Sequence, residues 1–220
     1  MKENFDAGSD LNFEAIREAH ISLAKKLIAA DGKNMYQMDI MALAVINRSL
    51  SISAGISSMI EQGNLLCAAS LIRLQIDSSL RFFASTLAED ADNFCKEVFE
   101  GKHIRKMKDK CGKAMTDSYL VEKISERFPW VESAYEATSG FIHFSEKHIF
   151  SSVNETKSSG SINIRISDVY TETDSIFRDE LKVLLLHATM LVLQCVGEWV
   201  NFKENRGDRK LGALFGSSSG

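Results

Sequence analysis

Pro129 is the single proline in 220 residues. Proline removes an interior hydrogen bond and clashes with the preceding turn, so a chain nearly free of it can run long helices. The apolar pattern uses that freedom. Phe13, Ile16, His20, Leu23 and Leu27 recur at helical spacing, and predict a first helix from Asn12 to Ala30 that stops at Gly32. A second is expected over Tyr36–Gln62, ending at Gly63-Asn64. There glycine takes the left-handed stop and Asn64 caps a third helix, Leu65–Ala88. Shorter helices are expected over Asp92–Glu100, from a Thr116 cap to Arg127, and from Trp130 to Phe144 with Pro129 in the first turn. A last long one runs from a cap near Thr173 to Phe202.

One stretch breaks the pattern. Ile162, Ile164 and Ile166 alternate with Asn163, Arg165 and Ser167, the two-residue repeat of a half-buried strand. Ile149–Val153 is the expected partner, with a polar turn over Asn154–Gly160. The fold class is therefore mainly α, a helical bundle with one short β-hairpin before the C-terminal helix. Residues 1–206 form a single domain, and 207–220 form a disordered tail ending in Gly-Ser-Ser-Ser-Gly.

Composition narrows the functional classes. Apolar residues make up 45% and charged residues 25%, as in ordinary globular proteins, and the length suffices for one full core. A net charge of −4 gives no global pull toward nucleic acid or anionic membrane. Cys67, Cys95, Cys111 and Cys195 are scattered without a Cys-x-x-Cys pair, which fits a reduced, cytoplasmic setting. Met1–Asp10 is polar and acidic, unlike a signal peptide. The longest apolar run, Val183–Val196, is too short to span a bilayer, so no membrane association is expected. No dinucleotide-binding glycine motif, phosphate-binding Gly-Lys-Ser/Thr loop or Gly-x-Ser-x-Gly elbow occurs, and no cofactor is expected.

The third helix carries the most informative polar residues. On a helical wheel, Ser70, Arg73, Asp77 and Arg81 form a narrow stripe between two apolar faces. Each arginine lies four residues from Asp77 and can pair with it. Such a stripe is either an ion pair that fixes register or a groove where guanidinium groups hold phosphate or carboxylate. His187 and Glu198 share a face of the last helix and could meet this stripe in a buried polar layer, with Arg48 as a further member.

Tyr135, Ser139 and His143 also fall four apart and line one helical face. His143 is either a general acid or base or a helix-terminal cation. His143, Glu146 and His148 fit no zinc pattern, so no metal is expected. The basic run Lys102–Lys113 contains no aromatic residue and reads as a solvated, mobile face; RNA contact there is the weaker alternative.

Three of these pieces together carry a resemblance: Gly63-Asn64 ahead of a helix with Arg73 and Asp77, the Tyr135/Ser139/His143 spacing, and the hairpin before the last helix. The chain resembles a bacterial helical family of unknown function that is itself similar to the HEPN superfamily of antiphage-defence and toxin–antitoxin proteins. The resemblance spans roughly Met38–Asn201. It implies a helical bundle, paired as a homodimer. HEPN ribonucleases carry an arginine followed four to six residues later by a histidine, and this chain has no such pair.

The leading expectation is a cytoplasmic interaction or effector domain that works through a protein partner in such a system. The alternative is a metal-independent ribonuclease in which His143 acts with Arg73 and Asp77 as the catalytic group, and Arg48, Arg81, Tyr135, Ser139, His187 and Glu198 bind. A third reading is a sensor whose anionic ligand is held by Arg73 and Arg81.

Overall fold

The structure, a computed structural model, describes residues 12–142, 153–155, 162–164, 166–168 and 175–205. They form a mainly α-helical bundle. Its helices are α1 (Phe13–Ala29), α2 (Gln37–Glu61), α3 (Leu65–Leu87), α4 (Ala91–Phe99), α5 (Asp117–Ser125), α6 (Trp130–Ile142) and α7 (Ser175–Glu204). Strand β1 (Val153–Glu155) pairs antiparallel with β2 (Ile162–Ile164), Val153 opposite Ile164.

Local chemistry sets the helix ends. Asn12, Asn64, Asp90 and Thr116 each accept a hydrogen bond from a backbone N–H three residues on, which satisfies one orphan donor of the first turn. Gly63 lies at φ 75°, and Asn64 N–H donates to Met59 O at 2.8 Å. This is the left-handed stop expected of Gly63-Asn64.

Helices α2, α3 and α7 pack against one another at the centre. Helix α1 lies on α2 and α7, α4 on α2 and α3, and α6 on α3 beside α5. One apolar core runs through them, from Leu27 and Ile46 through Ile72, Ile76 and Leu80 to Leu185, Val192 and Trp199. Helices α2 and α7 are long and apolar enough to cross a membrane, and about half of their apolar windows, 44% and 50%, is buried inside the bundle.

Two polar clusters lie within that core. In one, His20, Ser49, Ser53, Gln75 and Thr189 bring α1, α2, α3 and α7 together. His20 Nδ1 lies 2.7 Å from Ile16 O and its Nε2 2.8 Å from Ser49 Oγ. Gln75 Nε2 donates to Ser49 Oγ at 2.6 Å and Ser53 Oγ at 3.2 Å. Ser53 Oγ lies 3.1 Å from Thr189 Oγ1. A carbonyl can only accept, so Nδ1 carries a proton and donates to Ile16 O. Burial pushes the imidazole pKa down despite that bond, which favours the neutral ring with Nε2 accepting from the Ser49 hydroxyl.

The second cluster is a fully buried ion pair. Lys203 Nζ lies 2.9 Å from Asp39 Oδ2, and both side chains are 0% exposed. Asp39 also accepts from the Tyr36 backbone N–H at 2.8 Å and from Trp199 Nε1 at 2.7 Å. Lys203 donates further to Leu27 O at 2.9 Å. Burial of two charges is tolerable because their remaining hydrogen-bonding capacity is spent on fixed partners.

The cations of the basic segment are exposed, as a solvated face requires, and its backbone folds back on itself through hydrogen bonds. Ile104–Lys106 forms a 3-10 turn, and Lys108 bridges to Ala114. Asp109 Oδ1 accepts from the N–H groups of Cys111 and Lys113 at 3.0 and 2.7 Å, and its Oδ2 from the Tyr119 hydroxyl at 2.6 Å. Lys110 N–H donates to Leu87 O at 3.0 Å, and Met107 is buried beneath. The single acid of the run organises the loop and leaves the cations outward.

Candidate functional site

The polar stripe of α3 faces α6 and the start of α5. Arg73 is 9% exposed. Its guanidinium lies 3.5 Å from the centre of the Tyr135 ring, and Nε reaches Ser139 Oγ at 3.4 Å. Ser139 in turn donates to Tyr135 O at 2.6 Å. Ser70 Oγ donates to Leu66 O and, across the seam, to Phe141 O at 3.2 Å. Arg73, Tyr135 and Ser139 therefore converge, as their helical spacings allow.

The charges of the stripe are paired. Asp77 lies 4.0 Å from Arg73 and 2.9 Å from Arg81. Arg81 also reaches Asp117 at 2.6 Å. Two guanidiniums and two carboxylates alternate along the seam. Burial lowers the Arg73 pKa against the pull of Tyr135, Asp77 and Asp117. For Arg81 burial acts the same way, but Asp77 and Asp117 outweigh it and raise the pKa. Burial also raises the Tyr135 phenol, against the pull of Arg73, so the phenol stays protonated near neutral pH. Arg73, Arg81 and Tyr135 thus supply cation and hydrogen-bond donors, and none is a base at neutral pH. The expected acid or base, His143, lies outside the described residues, as do Glu146 and His148.

The other candidates go elsewhere. Glu198 does not join the α3 stripe: Arg127, just beyond α5, binds it through both guanidinium nitrogens, Nη1 to Oε2 at 3.0 Å and Nη2 to Oε1. The His187 ring lies 5.5 Å from that of Trp130, tilted by 42°. Arg48 is exposed and donates to Ser78 Oγ at 3.0 Å, which ties α2 to α3. The buried polar layer expected from His187, Glu198 and the stripe is thus replaced. Its place is taken by the His20–Ser49–Gln75–Ser53–Thr189 network. Ser49, Ser53 and Ser57, four apart on α2, were its legible signal: small polar residues on one face let a neighbouring helix approach. Among the described residues, no group of three or more His, Cys, Asp or Glu is placed to hold a metal ion.

A second surface lies on α7. Its inner face carries Leu181, Leu185, Ala188, Val192 and Trp199, all buried. On the opposite side of the same helix fall Ile176, Val183, Leu186, Met190 and Leu193. Ile176 is 75% and Met190 49% exposed, and Val183, Leu186 and Leu193 are half-buried. A methyl group added at Gly197, further along this outer face, would meet nothing within 4 Å. At the start of the helix a hollow of about 520 Å³ is lined by Ile176, Asp179, Glu180, Val183 and Leu184. Apolar residues on both sides of a helix mark one that expects cover on both sides.

Compared with known proteins, the chain matches no family model, no curated protein and no solved structure.

Proposed function

We propose that this protein is a helical interaction domain that works through a protein partner docked on the outer face of α7. The observation that carries the reading is the apolar stripe opposite the core-facing side. A stripe of exposed and half-buried apolar residues with acidic residues at its edge fits a protein-binding face. The α3 stripe, with its charges mutually paired, fits a register-fixing seam better than an anion site.

The first occupant to test is a second copy. Val183, Leu186, Met190 and Leu193 are spaced three, four and three apart, a palindromic pattern. A twofold axis midway between Leu186 and Met190 would set Val183 against Leu193 of the partner subunit and Leu186 against Met190 of the partner subunit. Isologous contacts have this self-matching form. The family resemblance adds the context, a cytoplasmic role in bacterial defence or a toxin–antitoxin pair, without membrane association.

Light scattering after gel filtration tests the pairing. The wild-type chain should run at twice 24.5 kDa. Leu186→Glu/Met190→Glu should run as a monomer with an unchanged far-UV circular dichroism spectrum. A monomeric wild type would reject the homodimer and direct the search to a different protein. Equal association by both proteins would reject this face.

One observation favours a second reading. Tyr135 and Ser139 gather on Arg73, and His143 follows Ser139 by one helical turn in sequence. A ribonuclease would use His143 as acid or base and Arg73 to stabilise charge on phosphorus. Total RNA incubated with wild type and with His143→Ala separates the cases: cleavage lost in the variant supports the enzyme, and equal or absent cleavage rejects it.

A further inference from the structure

The apolar stripe on α7 is too small to hold two copies together alone. A stable contact buries roughly 800 Å² and 20–30 residues on each side, whereas Val183, Leu186, Met190 and Leu193 are four residues. The hollow at the start of the helix lies beside this stripe. At about 100° per residue, Ile176, Glu180 and Leu184 turn progressively away from Leu186 and Leu193. The hollow joins an apolar wall, Ile176, Val183 and Leu184, to an acidic one, Asp179 and Glu180. Glu180 is exposed, and Asp179 meets Lys182 at 3.2 Å. Residues 206–215 carry the complementary pattern. Arg206, Arg209 and Lys210 surround Asp208, and Leu211, Leu214 and Phe215 follow.

We infer that the C-terminal segment Arg206–Phe215 seats in this hollow of the partner subunit, so that each copy straps the other. The inference rests on the pairing proposed above. Reach decides which copy is strapped. Within one chain, Leu184 lies 20 residues before Glu204, about 30 Å along the helix at 1.5 Å per residue. Leu211 follows Glu204 by seven residues, extends at most ~25 Å and falls short. Phe215 arrives only with the chain nearly straight. Across a twofold axis midway between Leu186 and Met190, the partner's Glu204 comes opposite position 172, about 5 Å before Ser175. The segment then starts beside the hollow with length to spare. Gly207 of the partner subunit takes either sign of φ and lets the chain turn back there. Leu211 of the partner subunit and the partner's Phe215 would cover Ile176, Val183 and Leu184. Arg209 of the partner subunit and the partner's Lys210 would meet Glu180 and Asp179. A tail expected to lack structure by itself can order on such a surface. Strap and hollow raise each side from four residues to about the number a stable contact needs.

Sedimentation equilibrium of the full chain tests this through the dimer dissociation constant. Leu211→Asp/Phe215→Asp should weaken the dimer about tenfold or more. Ile176→Asp, at a position 75% exposed, should weaken it to a similar degree. Combining the two sets should cost little more than either alone, because both remove one contact. Covalent capture shows which chain supplies the strap. Ile176→Cys/Leu211→Cys, made with Cys67→Ser and Cys111→Ser to remove the exposed thiols, should give a reducible dimer under mild oxidation, and neither cysteine alone should. Circular dichroism confirms that each variant is folded. Three results would overturn the inference and leave the pairing standing: a dimer indifferent to Leu211→Asp/Phe215→Asp, effects that add in full, or capture that is absent or confined to single chains. A monomeric full chain would overturn both.

Discussion

At the scale of single residues, His20 makes a prediction with a definite sign. Burial holds its native pKa below the ordinary value of 6.5. The unfolded chain therefore takes up a proton near pH 6.5 that the native state resists. Stability is full above that pH and falls as pH drops toward the native pKa. Urea denaturation at pH 7.5 and 5.5 should show the loss, and His20→Gln should shrink it. A variant with the wild-type pH slope would place the titration elsewhere.

Arg73 makes a second prediction, because its planar group lies over Tyr135 while its edge reaches Ser139 and Asp77. Lysine keeps the charge but loses the stack and the fork. Arg73→Lys should therefore cost on the order of 1–2 kcal/mol in urea denaturation. Tyr135→Leu made in the Arg73→Lys background should add less than it does alone.

The α3 stripe was legible from its spacing, because residues four apart on a helix must be neighbours. What spacing could not supply was the identity of groups on other helices. Asp117 joined Arg81, and Arg127 claimed Glu198, across gaps of 36 and 71 residues.

At the scale of elements, α7 is fastened to the N-terminus of α2 by Asp39 and Lys203. In sequence each looks routine, an acid in a first turn and a base in a last turn, where both complement helix dipoles. Only their burial shows that they are paired. Lys203→Met leaves the carboxylate uncompensated and should cost roughly 3–5 kcal/mol. Adding Asp39→Asn removes the stranded charge and should recover part of that loss in thermal or urea melts. A single variant as stable as the wild type would mean that water reaches the carboxylate. The basic loop shows the opposite limit of sequence reading. Its charge density was plain, but the way it folds back rests on Asp109 reaching Tyr119, ten residues on.

For the whole molecule, one core reaches every helix from α1 to α7, which predicts a single cooperative unfolding transition. Trp199 is 3% exposed and bonded to Asp39, and Trp130 is half-buried on α6, so tryptophan fluorescence reports these two places in the bundle while far-UV circular dichroism reports all helices. Coincident urea curves are expected; separated midpoints would reveal independent units. The helical class and most helix limits were readable because long amphipathic periods without proline admit few alternatives. Pairing between distant helices was not, since side-chain periodicity tells which face is buried but not against what.

The Asp39–Lys203 lock links the start of the second helix to the final turn of the last. A fragment that stops before Lys203 leaves Asp39 bearing a charge that must remain hydrated, at a place where the finished core is dry. Partial chains thus keep a wet seam between α1 and α2, and quality-control proteases would find them open until the closing turn arrives.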